Sequence, residues 1–215
     1  MINEHHIEVT KTARYFTAKP KGEAHRVLFV IHGYRQLAKY FIRQFQPLTE
    51  QGIMVVAPEG LHRFYIEGYD GRVGASWMTK EDREVDSKDY VNYLNALHSS
   101  LNLSSTMPID ILGFSQGGPT ACRWLASASF QVEKLILHST VFPNDFDFKG
   151  NMSKLNKAVV STIFGDQDQF SNERVISEKM DWMKQQGVES ELIRFEGGHA
   201  IDIESLITIY KSELA

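Results

Sequence analysis

Ile109-Asp-Ile-Leu-Gly113-Phe114-Ser115-Gln116-Gly117-Gly118 is the stretch on which the fold turns. The apolar run 109–112 predicts a buried strand that stops at Gly113. Gly113-Phe114-Ser115-Gln116-Gly117 then fits Gly-x-Ser-x-Gly, the sharp turn that carries a nucleophilic serine between a strand and a helix. A side chain two residues to either side of such a serine would collide with the neighbouring chain, and glycine has none. The turn holds the Ser115 hydroxyl clear of the sheet, at the positive end of the following helix. Glycines and serines also cluster in ordinary turns, so the pattern draws its force from its setting and from partners elsewhere in the chain.

Upstream, Arg26-Val-Leu-Phe-Val-Ile-His32 is the unbroken apolar run of a central parallel strand, and it leads into Gly33-Tyr34-Arg35-Gln36. Phe41, Phe45 and Leu48 recur at helical spacing up to Gly52, and residues 53–57 form the next buried strand, ended by Pro58. Before these, alternating runs at 7–9 and 13–17 predict an N-terminal antiparallel hairpin on a sheet edge. Residues 59–79, rich in glycine and aromatics, show no period; they read as an aromatic-anchored surface loop or as a substrate-binding one. From Glu81 a long helix is expected, with Tyr90, Tyr93, Leu94, Leu97 and Leu101 on one face.

Downstream of the serine come a helix, a strand at 134–138, and an irregular segment at 141–150 whose Phe142 is a candidate for the rim of a pocket. A strand at 158–164 ends in Gly165-Asp166-Gln167-Asp168. The helix after it has Ser171 as expected N-cap and Val175, Ile176, Met180 and Met183 as its apolar stripe. The last strand, 191–195, runs into Glu196-Gly197-Gly198-His199, and Ile203, Leu206, Ile207 and Tyr210 mark a final helix.

Strands and helices alternate with no composition shift to mark a linker. This predicts one α/β domain over residues 1–215, a mostly parallel sheet with helices on both faces. The mild charge of −4 and the lack of a basic run argue against a nucleic-acid partner. One cysteine, Cys122, excludes an intramolecular disulfide framework and is expected to be buried and inert. No apolar run is long enough to cross a bilayer and no signal-type segment opens the chain, so the expected location is cytoplasmic. Oligomeric state is not encoded in any pattern here.

Ligands of such sheets bind beyond the carboxyl ends of the strands, and four of those ends carry chemical groups: His32-Gly33, Ser115, Asp168 and His199. A serine hydroxyl is protonated at neutral pH and needs a base, which in turn needs an acid to fix its tautomer. His199, on a double-glycine turn after the last strand, is the candidate base, with His32 and His138 as competitors of structural character. Asp166 and Asp168 compete as the acid; Asp166 is assigned to its own turn and Asp168 to His199, which gives the chain order nucleophile, acid, histidine. The oxyanion of a tetrahedral intermediate needs two donors. The N–H of Gln116 is one, and Tyr34 N–H, in the loop after the His32 strand, is the candidate for the other.

His32-Gly33, Gly-Phe-Ser115-Gln-Gly-Gly, Gly165-Asp-Gln-Asp168 and Gly-Gly-His199 together resemble the α/β-hydrolase superfamily. Within it they resemble the small carboxylesterase/phospholipase group that includes acyl-protein thioesterases. The resemblance implies the α/β-hydrolase fold and hydrolysis of small carboxylic esters, thioesters or lysophospholipids. It implies Ser115, Asp168 and His199 as triad, Tyr34 and Gln116 as oxyanion hole, and no metal or organic cofactor. It also likens Trp77 to a tryptophan beside the acyl pocket. The chain departs from the pattern at Arg35-Gln36, where relatives carry a glycine or small residue, and at Gln169-Phe170 after the second acid. Arg35, with Arg63 or Arg72, is therefore a candidate for selecting anionic substrates. An acyltransferase or perhydrolase would use the same acyl-enzyme with another acceptor, and a binding module could keep the fold without the chemistry.

Overall fold

Two-sided burial builds the centre of the sheet. In the computed structural model, which describes residues 1–211, Val27, Phe29 and Ile31 belong to one apolar cluster and Leu28 and Val30 to the other, all fully buried. Successive residues of a strand point to opposite faces, so a strand covered on both needs apolar groups throughout. The elements are β1 (Tyr15–Ala18), β2 (Arg26–Ile31), α1 (Ala38–Phe41), a 3-10 turn (Ile42–Phe45), α2 (Gln46–Thr49), β3 (Ile53–Pro58), β4 (His62–Tyr65) and β5 (Val73–Ser76). They continue as α3 (Arg83–Ser100), β6 (Ile109–Phe114), α4 (Gly117–Ser127), β7 (Lys134–His138), α5 (Phe148–Leu155), β8 (Val159–Gly165), α6 (Glu173–Gln185), β9 (Glu191–Phe195) and α7 (Ile203–Lys211).

Seven strands form one sheet in the order β1-β3-β2-β6-β7-β8-β9, and β4 with β5 forms a separate two-stranded one. Every pairing in the large sheet is parallel except β1 with β3. Ile31 lies opposite Gly113, Phe114 opposite His138, and Gly165 opposite Phe195. That register brings the loops after β2, β6, β7, β8 and β9 to a single edge. The cluster on one face takes Tyr90, Leu94 and Leu97 from α3 and Trp124 from α4; the other takes Phe41, Phe45, Leu48, Leu206 and Tyr210. Fully burying side chains of this size contributes about 1.5–3 kcal/mol each before entropy is counted.

The antiparallel N-terminal edge is present, with β3 as the partner of β1. The upstream run at 7–9 forms no strand and remains exposed. Its Glu8 lies 3.4 Å from Lys88 of α3, and further along the chain Tyr93 of α3 donates to the Arg14 carbonyl at 2.9 Å. The helical stretch after β2 keeps its buried Phe41, Phe45 and Leu48 but breaks into short turns, since Pro47 has no N–H to continue one helix. α3 starts at Arg83 rather than Glu81 because Asp82 sits in the left-handed region at φ 52°. Residues 59–79, expected to be irregular, contain the β4–β5 hairpin. The N-cap of α6 is Asn172, not Ser171, its side chain accepting from Val175 N–H at 3.1 Å. Among the described residues no helix is long and apolar enough to cross a membrane.

Candidate active site

The turn after β6 is built by close approach. A Cβ on Gly113 would lie 2.5 Å from the Gly117 carbonyl oxygen, and one on Gly117 would lie 2.1 Å from that of Ile31. Real Cβ atoms do not come so near to backbone, so both positions require glycine for space, as the sequence pattern anticipates. Ser115, at the apex, has φ 51°, a conformation serine rarely adopts, and its N–H donates to the His138 carbonyl at 3.1 Å. The serine is half-buried at the start of α4.

The loop after β2 lies directly against this turn, the Cβ position of Gly33 being 3.2 Å from Ser115 Cβ. His32 is fully buried beneath it. Its Nδ1–H donates to the Gly33 carbonyl at 2.8 Å while its Nε2 accepts the Gly60 N–H at 3.0 Å, which requires a neutral ring. Burial pushes its pKa down to about 4 despite the nearby Glu59. Because the Gly33 carbonyl and the Tyr34 N–H share one trans peptide, holding the oxygen on His32 aims the Tyr34 N–H the opposite way. The far side of the loop is stitched to β5 by Arg35 N–H to Ala75 O (2.9 Å) and Ala75 N–H to Gln36 O (3.1 Å). Gln36 also folds its side chain back to accept the Gly33 N–H at 2.8 Å. Among the described residues neither the Tyr34 nor the Gln116 N–H has an acceptor.

On the other side of Ser115, β8 and β9 bring Asp168 to His199. Asp168 Oδ2 meets His199 Nδ1 at 2.7 Å, its Oδ1 accepts the Phe170 N–H at 2.9 Å, and the carboxylate is almost wholly buried. A carboxylate only accepts, so the proton of the neutral ring sits on Nδ1 and Nε2 is left as the basic nitrogen. Asp166 serves the turn, as expected, with Oδ1 accepting the Gly197 N–H at 2.9 Å. The His199 ring lies 4.9 Å from that of Phe114, the residue before Ser115, and Phe170 covers it edge-on at 4.7 Å. His138, the other competing base, is structural: its Nε2 accepts the Asp202 N–H at 3.0 Å, and burial lowers its pKa to about 4. It thereby ties the serine's backbone to the loop that carries His199.

A hollow of about 530 Å³ opens beside Tyr34 and Gln116, walled also by Lys80, Arg83, Arg123 and Pro143. Trp77 and Phe142, expected to line the pocket, do not: both are fully buried. Trp77 donates its indole N–H to the His32 carbonyl at 2.9 Å and so braces the end of β2. Phe142 packs with Phe146 and Phe148 in an aromatic cluster that also holds Trp182. Arg35 is exposed and takes φ 68°, a conformation that favours glycine, and it does not line the hollow. Arg63 and Arg72 lie near Glu59 (3.6 Å) and Glu67 (3.7 Å).

Sequence reasoning missed the side chain of Gln116. Its Oε1 accepts the Trp77 N–H at 3.1 Å and its Nε2 donates to the Met78 carbonyl at 2.9 Å, clamping the 76–78 segment to the serine turn. Ser76 completes the clamp, accepting from Gln116 at 3.2 Å and donating to Met78 O at 2.9 Å. An amide is the side chain that can both give and take across such a gap, but nothing in its spacing announces the partner. Of metal-binding character among the described residues is Glu4–His6–Asp82, an exposed group outside this edge of the sheet.

A model of the phospholipase/carboxylesterase family matches residues 13–212. Among solved structures, acyl-protein thioesterase 2 of Zea mays superimposes with TM-score 0.74 at 14% identity, over 94% of this chain and 98% of that one. Esterase PE8 gives 0.71 at 19% identity, over 95% and 100%, and the Bacillus cereus carboxylesterase 0.65 at 13%, over 93% and 92%. At such identities these likenesses speak to the fold, which they share with this chain nearly end to end. Comparison with curated protein sequences finds no match.

Proposed function

The chain belongs to the phospholipase/carboxylesterase family, a family of ester hydrolases, and on that premise we propose that it cleaves small carboxylic esters through an acyl-enzyme on Ser115. The observation that carries this is the 2.7 Å contact of His199 Nδ1 with the buried Asp168 carboxylate, on a ring packed against the residue preceding a strained, half-buried serine. His199 Nε2 removes the Ser115 proton as Oγ attacks the ester carbonyl, and Asp168 stabilises the imidazolium that results. The carbonyl oxygen becomes an oxyanion held by the unengaged N–H groups of Tyr34 and Gln116. A donor of this kind is worth about 2.7–4 kcal/mol of barrier, because it is fixed before the charge appears. His199 then hands its proton to the leaving alkoxide, the alcohol departs, and the ester of Ser115 remains. Water, deprotonated by the same nitrogen, attacks that ester; the acid is released and the serine regains its proton.

His32 supports the same reading from below, since a neutral Nδ1–H on the Gly33 carbonyl fixes the peptide whose N–H faces the oxyanion. Thioesters and lysophospholipids present the same acyl carbon and fall within the proposed range. The test is hydrolysis of short-chain p-nitrophenyl esters by the wild type and by Ser115→Ala. The expected result is turnover by the first and a loss of about 10⁶-fold in the second; equal rates would remove Ser115 from the chemistry.

A further inference from the structure

We propose that the hollow beside the serine turn is an anion subsite, so that the preferred ester carries a carboxylate or phosphate a few atoms from the scissile carbonyl. This deepens the serine-hydrolase reading and rests on it. Tyr34 and Gln116, the residues of the proposed oxyanion hole, line the hollow, while Ser115 and His199 lie outside its lining, so it would take the part of a substrate beyond the scissile ester. Three cations line it, Lys80, Arg83 and Arg123, and among the described residues no carboxylate does. Arg123 is engaged: both Asp145 oxygens lie 2.8 Å from its Nη2, and the Tyr90 hydroxyl 3.4 Å from its Nη1. Lys80 and Arg83 form no ion pair among the described residues, although Arg83, after Arg123, helps to hold the Asp145 carboxyl below its usual range.

Their local sequence makes this notable, because Lys80 and Arg83 are interleaved with Glu81, Asp82, Glu84 and Asp86. The two acids with partners are used elsewhere. Asp86 accepts the Thr79 N–H at 3.1 Å and faces His62 at 3.0 Å, and Asp82 faces His6 at 2.8 Å. Glu81 and Glu84 are exposed and line no part of the hollow, while Lys80 and Arg83 stand on its wall. Exposed lysines and arginines are ordinarily just solvated. These differ in sharing a 530 Å³ hollow with Tyr34 and Gln116, the residues of the proposed oxyanion hole, in a protein whose net charge is −4. A positive patch in such a field concentrates anions locally. The cations proposed from sequence, Arg35, Arg63 and Arg72, do not line the hollow.

The experiment compares kcat/KM within two matched pairs. The p-nitrophenyl hemisuccinate against p-nitrophenyl pentanoate puts a carboxylate on the acyl side; lysophosphatidate against monoacylglycerol puts a phosphate on the alcohol side. The anionic member is expected to be preferred in at least one pair, and which pair identifies the source of the anion. The preference should fall about threefold for Lys80→Met or Arg83→Met and roughly tenfold for both, the size that exposed ion pairs carry. It should also shrink at about 0.5 M salt, while Arg72→Met keeps it. No anionic preference in either pair, or one untouched by the double variant, overturns the subsite. Should no ester be cleaved and no fluorophosphonate label Ser115, the hydrolase reading is what fails. The subsite is then decided by titrating succinate and inorganic phosphate into Ser115→Ala: saturable binding lost in the double Lys80/Arg83 variant supports it, and its absence overturns it.

Discussion

The serine turn and the wall that faces it, residues 59–83, are made on opposite terms. The turn is all close contact: Gly113 and Gly117 press on backbone, Ser115 is held at φ 51°, and the groups beneath it are buried. The wall is a two-stranded hairpin with exposed cations, joined to the turn by the Gln116 clamp and to the loop after β2 by two backbone hydrogen bonds. On the proposed reading the reaction falls to the rigid side, and selection among substrates, which asks only for shape and charge, to the side that tolerates change.

The largest expected break of that contrast is on the rigid side. Asp168→Asn keeps the shape but removes the charge that orients His199, and kcat should fall about 10⁴-fold with KM little altered; a change below tenfold would separate Asp168 from the reaction. Next, Gly117→Ala should destabilise the fold by about 3 kcal/mol or more, lowering the melting temperature by roughly 6–12 °C. In the wall, Gly68 has positive φ, at 61°, but a Cβ there meets nothing within 4 Å. Gly68→Ala should cost only about 1 kcal/mol, and calorimetry of the two variants checks the ranking.

Acid should also act through the rigid side. His32 and His138 have pKa values lowered to about 4 from 6.5 by burial, so between these values the unfolded chain binds their protons and the folded one does not. Stability is therefore lost as pH falls from about 6.5 toward 4. Asp110 works in the opposite sense: burial raises its pKa to about 6 although Arg26 and Tyr210 bond it, so its contribution grows as pH falls. The net expectation is a loss of about 2 kcal/mol between pH 7 and pH 5, read from urea unfolding. A flat profile would mean that the two histidines are not held neutral. The smallest effect belongs to the join between the regions. Gln116→Leu keeps the backbone N–H but unclamps Trp77 and Met78, and should cost about 1–2 kcal/mol and raise KM more than it lowers kcat.

The sequence carried the rigid side almost whole. Buried parallel strands are unbroken apolar runs, and the glycine spacing of the turn is imposed by contacts of one chain with itself, so β7 falls on its expected residues and the serine on its turn; β9, a partly exposed edge strand, falls on its expected residues as well. The wall was less legible. Its hairpin strands are short and half exposed, so no period marks them, and whether Lys80 faces a hollow depends on where Asp82 and Asp86 find partners. Trp77 and Phe142 were misplaced for a related reason. An aromatic beside a loop has the same composition whether it lines a pocket or fills a core, and here a bond to the His32 carbonyl and a four-ring cluster decide it. Proline's missing donor marks the break at Pro47, although the apolar spacing runs on through it.

The most direct test of the central claim is labelling by a fluorophosphonate followed by mass analysis of the peptide carrying residues 109–118. The expected adduct sits on Ser115, vanishes in Ser115→Ala and forms at a strongly reduced rate in His199→Ala. A label that persists in Ser115→Ala, or that forms equally fast without His199, would contradict the account.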